Sequence, residues 1–257
     1  MDLSIFSELG TTLFVLSVLI TLTAGVIKGT VGFAMPLVMV SGLTSIVEPT
    51  LAIAAMILPV VASNAFQTFR HGVAPALREA RFVWRYLLVV SVFIILSAQL
   101  LPLISARVFY LVLGVPVVIL SLIQLYGWRP IIPEARRRMA EWGIGVFSGI
   151  MGGLAGTWGP TTVLYLMAID TPKDRQIIVQ GVIYGTGAVM LLIAHLQSGV
   201  FNMTTAPWSA ALLIPAYLGM LIGFWLSDRM DQQRFRTVTL IVLVVAGLNL
   251  IRKAVVG

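Results

Sequence analysis

Apolar runs fill most of this chain, and each is close to or above the roughly 20 residues that an α-helix needs to cross a bilayer. Only 11% of the 257 residues are charged, whereas soluble domains have about 25%. This pattern predicts an all-α polytopic membrane protein. The runs lie at about 11–46, 50–70, 82–102, 108–126, 143–169, 176–196, 207–227 and 237–254.

Several classes of function lack sequence support. The chain has no cysteine, which excludes thiolate catalysis and Cys-ligated metals. It has no Walker A, His-Glu-x-x-His or Gly-x-Ser-x-Gly sequence, so we predict no cofactor, no metal and no enzyme activity. The net charge of +7 comes from cations in short loops, which indicates membrane topology rather than nucleic-acid binding. No apolar run carries Asp or Glu, which argues against a carboxylate proton relay.

The two halves of the chain resemble each other. When the sequence is shifted by 124 residues, GVIKGTVGFAMP (25–36) falls on GIMGGLAGTWGP (149–160). Internal duplication with Gly/Pro-interrupted segments in both halves is typical of transporters. We predict one integral membrane domain with a first repeat at 1–127, a basic cytoplasmic linker at 128–142 and a second repeat at 143–257. The matched residues are Gly25, Gly29, Gly32 and Pro36 in the first half and Gly149, Gly153, Gly156 and Pro160 in the second.

The orientation of the repeats depends on how segment 143–169 crosses the membrane. If it crosses once, the Arg-rich stretch DRMDQQRFR (228–236) lies outside, against the positive-inside rule. If it enters and returns, this stretch is cytoplasmic and only Arg252 and Lys253 break the rule. We therefore favour re-entrant hairpins at 11–46 and 143–169, each followed by three transmembrane helices, with the two repeats inverted. That each of these two segments crosses the membrane only once remains an alternative, because the run 11–27 is nearly long enough to span the bilayer alone.

Broken backbone at membrane depth is tolerated where it is buried in protein or lines a cavity. Pro36 and Pro160 suit the first turn of a new helix, whose free N–H groups would point into the break. Two such breaks near the midplane would form an anion site from backbone donors.

Three stretches resemble the sulfite exporter TauE/SafE family of membrane transporters. They are KGTVGFAMPL (28–37), GGLAGTWGPTTVLYL (152–166) and LPVVASNAFQ (58–67). The resemblance covers nearly the whole chain. It implies transport of small anions, such as sulfite or organosulfonates, across the bacterial inner membrane by a multi-pass protein. A homodimer is compatible with the sequence.

The candidate substrate-binding residues lie in or near the two breaks. Lys28 is the one charged residue well inside an apolar run, where it either binds an anion or snorkels to the headgroups. The polar side chains nearby could contact substrate oxygens or only join helices by hydrogen bonds. The full set is Lys28, Gly29, Gly32, Pro36, Asn64, Gln67, Gly153, Gly156, Thr157, Pro160, Thr161, Tyr165, Gln180 and Tyr184.

The function that these features favour is a secondary transporter or facilitator of small, sulfur-containing anions that works by alternating access. Two alternatives stay open at this point. One is a membrane enzyme acting on a lipid-linked phosphate, which should carry catalytic side chains at membrane depth. The other is an anion channel.

Overall fold

The computed structural model describes residues 4–127, 131–227, 229 and 231–256, and the regular elements of this part are all helices. Residues 128–130 of the predicted linker lie outside the described residues. The helices are α1 (Ser4–Val31), α2 (Met35–Leu43), α3 (Pro49–Phe69), α4 (Val73–Phe82), α5 (Trp84–Ala98), α6 (Ala106–Leu125), α7 (Glu134–Ala155), α8 (Gly159–Ala168), α9 (Lys173–Gln197), α10 (Ala206–Ala211), α11 (Leu213–Ser227) and α12 (Gln232–Val256).

The prediction of an all-α multi-pass membrane protein is confirmed at this level. Within the described residues, six helical stretches are long and apolar enough to cross a membrane. They are Gly10–Val31, Pro49–Phe69, Trp84–Leu103, Ala106–Leu125, Ile178–Gln197 and Ala206–Leu226.

The first predicted hairpin is a long helix followed by a short one. Helix α1 ends before Gly32, whose φ of 82° is a left-handed conformation that glycine adopts without steric cost. Ala34 is also left-handed, with φ of 78°, and Pro36 then lies in the first turn of α2. Helix α2 folds back along α1. The two helices are so close that a methyl group added to Gly42 of α2 would lie 2.6 Å from Ile20 Cγ2 of α1.

The second predicted hairpin has the same plan. Helix α7 ends before Gly156, which is again left-handed with φ of 64°, and α8 begins at Gly159. The amide of Ile132 donates to the carbonyl of Ala168 at 2.7 Å, so the end of α8 lies beside the start of α7. Helix α7 begins at Glu134, so most of the predicted linker is helical; this acidic residue stabilises the positive end of the helix.

The helices of the two halves interleave. Helix α1 packs along α11, α7 along α5, α3 along α9 and α6 along α12. Small residues allow the first two of these contacts. A methyl group on Gly25 or Gly29 would overlap backbone carbonyl oxygens of α11, at Ala216 and Met220.

The counterpart glycines in α7 do the same against α5. A methyl group on Gly149 would meet Phe93 Cβ at 2.5 Å, and one on Gly153 would overlap the carbonyl oxygen of Ile94. Close backbone approach through small residues is a common means of packing membrane helices.

Candidate functional site: the cavity between two broken helices

Lys28 lies in the last turn of α1 and is buried, with 4% of its surface exposed. Its Nζ donates to Asn64 Oδ1 at 2.5 Å, to Gln67 Oε1 at 2.6 Å and to the carbonyl of Gly32 at 3.2 Å. Three acceptors match the three N–H groups of an ammonium, whereas a neutral amine has only two. This geometry suits a protonated lysine.

The ammonium is surrounded by neutral groups. Among the described residues, the ion pairs join arginines to Glu79, Glu134 and Glu141, and none of them includes Lys28. The ring of Tyr184 lies 5.4 Å from Nζ, close enough for a cation–π interaction. Amide oxygens and an aromatic face satisfy the hydrogen bonds of the ammonium but leave its charge uncompensated.

A small cavity lies next to this ammonium and brings the two breaks together. The first break contributes Phe33, Ala34, Pro36 and Leu37, and the second contributes residues 156–160. Lys28, Asn64, Tyr184 and Leu243 complete the lining. The cavity measures about 20 Å³, which is room for about one water molecule. A sulfite-sized anion therefore requires the cavity to widen.

The half-helices α2 and α8 both start at this cavity. In each, the first N–H groups have no partner within their own helix. Both starts follow a left-handed glycine and have a proline in the first turn, Pro36 and Pro160. The backbone signals that the sequence analysis identified therefore lie at one place in the fold.

Seven of the predicted site residues line the cavity: Lys28, Pro36, Asn64, Gly156, Thr157, Pro160 and Tyr184. Two more, Gly32 and Gln67, hold the Lys28 ammonium. The hydroxyl of Thr157 donates to the carbonyl of Ala155 at 3.0 Å, so its lone pairs stay available as acceptors. The hydroxyl of Tyr184 lies 3.4 Å from the carbonyl of Gly159, at the start of α8.

The other predicted residues lie elsewhere. Gly29 and Gly153 are packing glycines inside α1 and α7, as described above. Gln180 is buried but does not line the cavity. Thr161 and Tyr165 do not line the cavity, and Thr161 Oγ1 is 2.8 Å from Ser148 Oγ.

Tyr165 belongs to a second polar cluster, which the sequence analysis missed. Its ring stacks on Tyr86 at 4.8 Å between centroids, and its hydroxyl donates to Glu141 Oε1 at 3.1 Å. Glu141 is 2% exposed and also accepts from Arg137 Nε at 3.2 Å. This buried carboxylate lies in α7, just before the predicted apolar run 143–169. It touches α8 but not the cavity.

Trp158 occupies the second break. Its indole lies against Gly152, where a methyl group would come within 2.7 Å of Cε3, and against Gly187 on α9. Gly152 is the counterpart of Lys28 in the other half. The site is therefore asymmetric, with a cation beside one break and an aromatic ring beside the other.

Comparison with known proteins identifies the family. A model of the sulfite exporter TauE/SafE family matches residues 17–250. The chain belongs to this family. This match confirms the resemblance found in the sequence. The TauE/SafE family comprises membrane transporters of sulfur anions such as sulfite. Neither a curated protein nor a solved structure matches the chain significantly.

Proposed function

We propose that this TauE/SafE protein moves small anions across the bilayer by alternating access around the cavity between its two broken helices. One observation carries the proposal: Lys28 is a buried ammonium with neutral hydrogen-bond partners, at the cavity where the two breaks meet. Burying a charge is costly unless an opposite charge accompanies it. A bound anion would supply that charge.

The helix pairs support an arrangement of two repeats. The span Trp84–Leu103, shifted by the same 124 residues, falls on 208–227 and so overlaps most of the span Ala206–Leu226. The contact of α1 with α11 is therefore the counterpart of the contact of α7 with α5. A two-fold axis that relates the two halves would make these two helix pairs equivalent.

The ends of the second hairpin favour an inverted orientation. The hydrogen bond from Ile132 to Ala168 places both ends of the α7–α8 hairpin together. A half made of a returning hairpin and three crossings reverses the direction of the next half. Inverted repeats around a central site suit alternating access.

The location in the bacterial inner membrane and the homodimer remain predictions from the sequence.

The test is anion flux in liposomes that contain the purified protein. Lys28→Met should abolish saturable uptake of labelled sulfite, while Lys28→Arg should retain part of it, because only the latter keeps the charge. Lys253→Met is the matched control: Lys253 also bonds to polar atoms, Ser41 O and Thr44 Oγ1, but does not line the cavity. Wild-type flux in Lys28→Met would refute the site.

The same liposomes distinguish the alternatives. A carrier gives saturable flux without electrical conductance, whereas an anion channel gives single-channel currents in a planar bilayer. A membrane enzyme would convert a lipid-linked phosphate and leave labelled sulfite outside. Currents or conversion in place of saturable flux would overturn alternating access.

A further inference from the structure

We propose that the cavity selects anions by charge number and prefers a monoanion with a small apolar group to a dianion of the same shape. This inference rests on the proposed function and specifies its substrate class. Its basis is a lining that combines a single full positive charge with several apolar side chains.

The single charge is Lys28. Among the described residues that line the cavity, no other side chain is ionic, because Asn64, Thr157 and Tyr184 are neutral polar groups. A monoanion beside the ammonium gives a neutral pair. A dianion leaves one negative charge buried without a partner, and such a charge is strongly unfavourable in a dry site.

Helix dipoles do not supply the missing second charge. The N-terminal ends of α2 and α8 are positive, but the C-terminal ends of α1 and α7 lie at the same two breaks and are negative. At each break the two partial charges therefore oppose each other. Carbonyl groups at the two negative ends accept hydrogen bonds from nearby side chains: Lys28 donates to the Gly32 carbonyl, and Thr157 donates to the Ala155 carbonyl.

The apolar part of the lining comes from Phe33, Leu37, Trp158 and Leu243. These side chains cannot hydrogen-bond an oxyanion through their carbon atoms. An anion that presents charged oxygens in every direction, as sulfate does, would place some of them against carbon. A sulfonate can direct its oxygens to the donors of the lining, the Lys28 ammonium and the Asn64 amide N–H groups, and its alkyl group to the apolar side chains.

The decisive comparison uses methanesulfonate and sulfate. Both are tetrahedral, and they differ in that a methyl group replaces one charged oxygen. The dissociation constants are measured for the full-length protein in nanodiscs by calorimetry, at constant ionic strength. We expect methanesulfonate to bind at least about tenfold more tightly than sulfate, because it buries no unpaired charge. In Lys28→Met this preference should disappear along with the binding itself.

A second variant tests the apolar part independently. Leu243→Ala enlarges the cavity on its apolar side without changing its charge. Ethanesulfonate should then gain affinity relative to methanesulfonate by about fourfold, the effect of burying one further methylene group. Leu88→Ala serves as a control, because Leu88 is half exposed on the outer surface of α5 and does not line the cavity.

The outcomes separate this inference from the proposed function. If sulfate binds as tightly as methanesulfonate or more tightly, charge selection is wrong, but the anion site stands. If Leu243→Ala leaves the ratio of the two sulfonates unchanged, the apolar part is wrong. If sulfite, methanesulfonate and sulfate all fail to bind, the proposed function falls together with the inference.

Discussion

The bond between Lys28 and Asn64 allows a test of the site by a change of charge alone. Asn64 Oδ1 accepts from Lys28 Nζ at 2.5 Å, and both side chains are buried. Asn64→Asp replaces the amide nitrogen by oxygen and keeps the shape of the side chain. The ammonium then has a permanent negative partner inside the protein, and the cavity has no net charge to offer an anion.

The size of the effect follows from Coulomb's law. An anion bound beside Lys28 would lie about 6 Å from the new carboxylate, and at an effective dielectric constant of about 20 two such charges repel by roughly 3 kcal/mol. Since about 1.4 kcal/mol corresponds to a tenfold change, the affinity for sulfite or methanesulfonate should fall about 100-fold.

The assay is calorimetry on the purified variant, supported by its melting temperature. Asn64→Asp should melt no lower than wild type, because it gains a buried ion pair without losing a hydrogen bond. Asn249→Asp is the control for the change of charge: Asn249, on α12, bonds to Ser41 of α2 and to Arg252, and it does not line the cavity. If Asn64→Asp binds anions with wild-type affinity, Lys28 does not provide the charge of the site.

Three further predictions concern packing, the second polar cluster and topology. Gly29→Ala should lower the free energy of unfolding by about 1–3 kcal/mol through overpacking against α11, measured as a lower melting temperature. Gly143→Ala, inside α7, should not lower it, because no atom lies within 4 Å of the added methyl and alanine favours a helix. Tyr165→Phe should lower the free energy of unfolding by about 1–3 kcal/mol, because it removes a hydrogen bond from buried Glu141. It should leave the KM for sulfite unchanged, and a raised KM would show that Tyr165 contributes to the anion site. Met203→Cys, 72% exposed in wild type and introduced into a chain without cysteine, should react with an impermeant thiol reagent from the outside only, and reaction from the cytoplasm would contradict inverted repeats.

The breaks could be predicted from sequence because helix breakers in an apolar run have few explanations. Gly32 and Gly156 have the left-handed backbone that only glycine adopts readily, and both mark the ends of helices in the structure. Lys28 could be predicted for a similar reason, since an isolated charge in an apolar segment needs a function or a polar environment. Asn64 and Gln67 share one face of α3, and the structure places both on Lys28.

The sequence did not show which other residues belong to the site. Gly29 belongs to the same repeated pattern as Gly32, but the pattern does not distinguish a glycine that ends a helix from one that allows close packing. The i, i+4 spacing of Thr161 and Tyr165 shows that they share a face of α8 but not which neighbour that face meets. Leu243 lines the cavity from an apolar helix, where nothing separates it from its neighbours in the sequence.

The two amide oxygens that hold Lys28 bear on the return step of the proposed transport cycle. In the absence of an anion they satisfy the hydrogen bonds of the ammonium, but they carry no charge. An empty carrier would therefore have to change conformation around a buried charge that lacks an opposite partner, which is unfavourable. Efflux of labelled sulfite into an anion-poor medium should then be slower than exchange against external sulfite, and equal rates would show that the amides alone suffice for the return step.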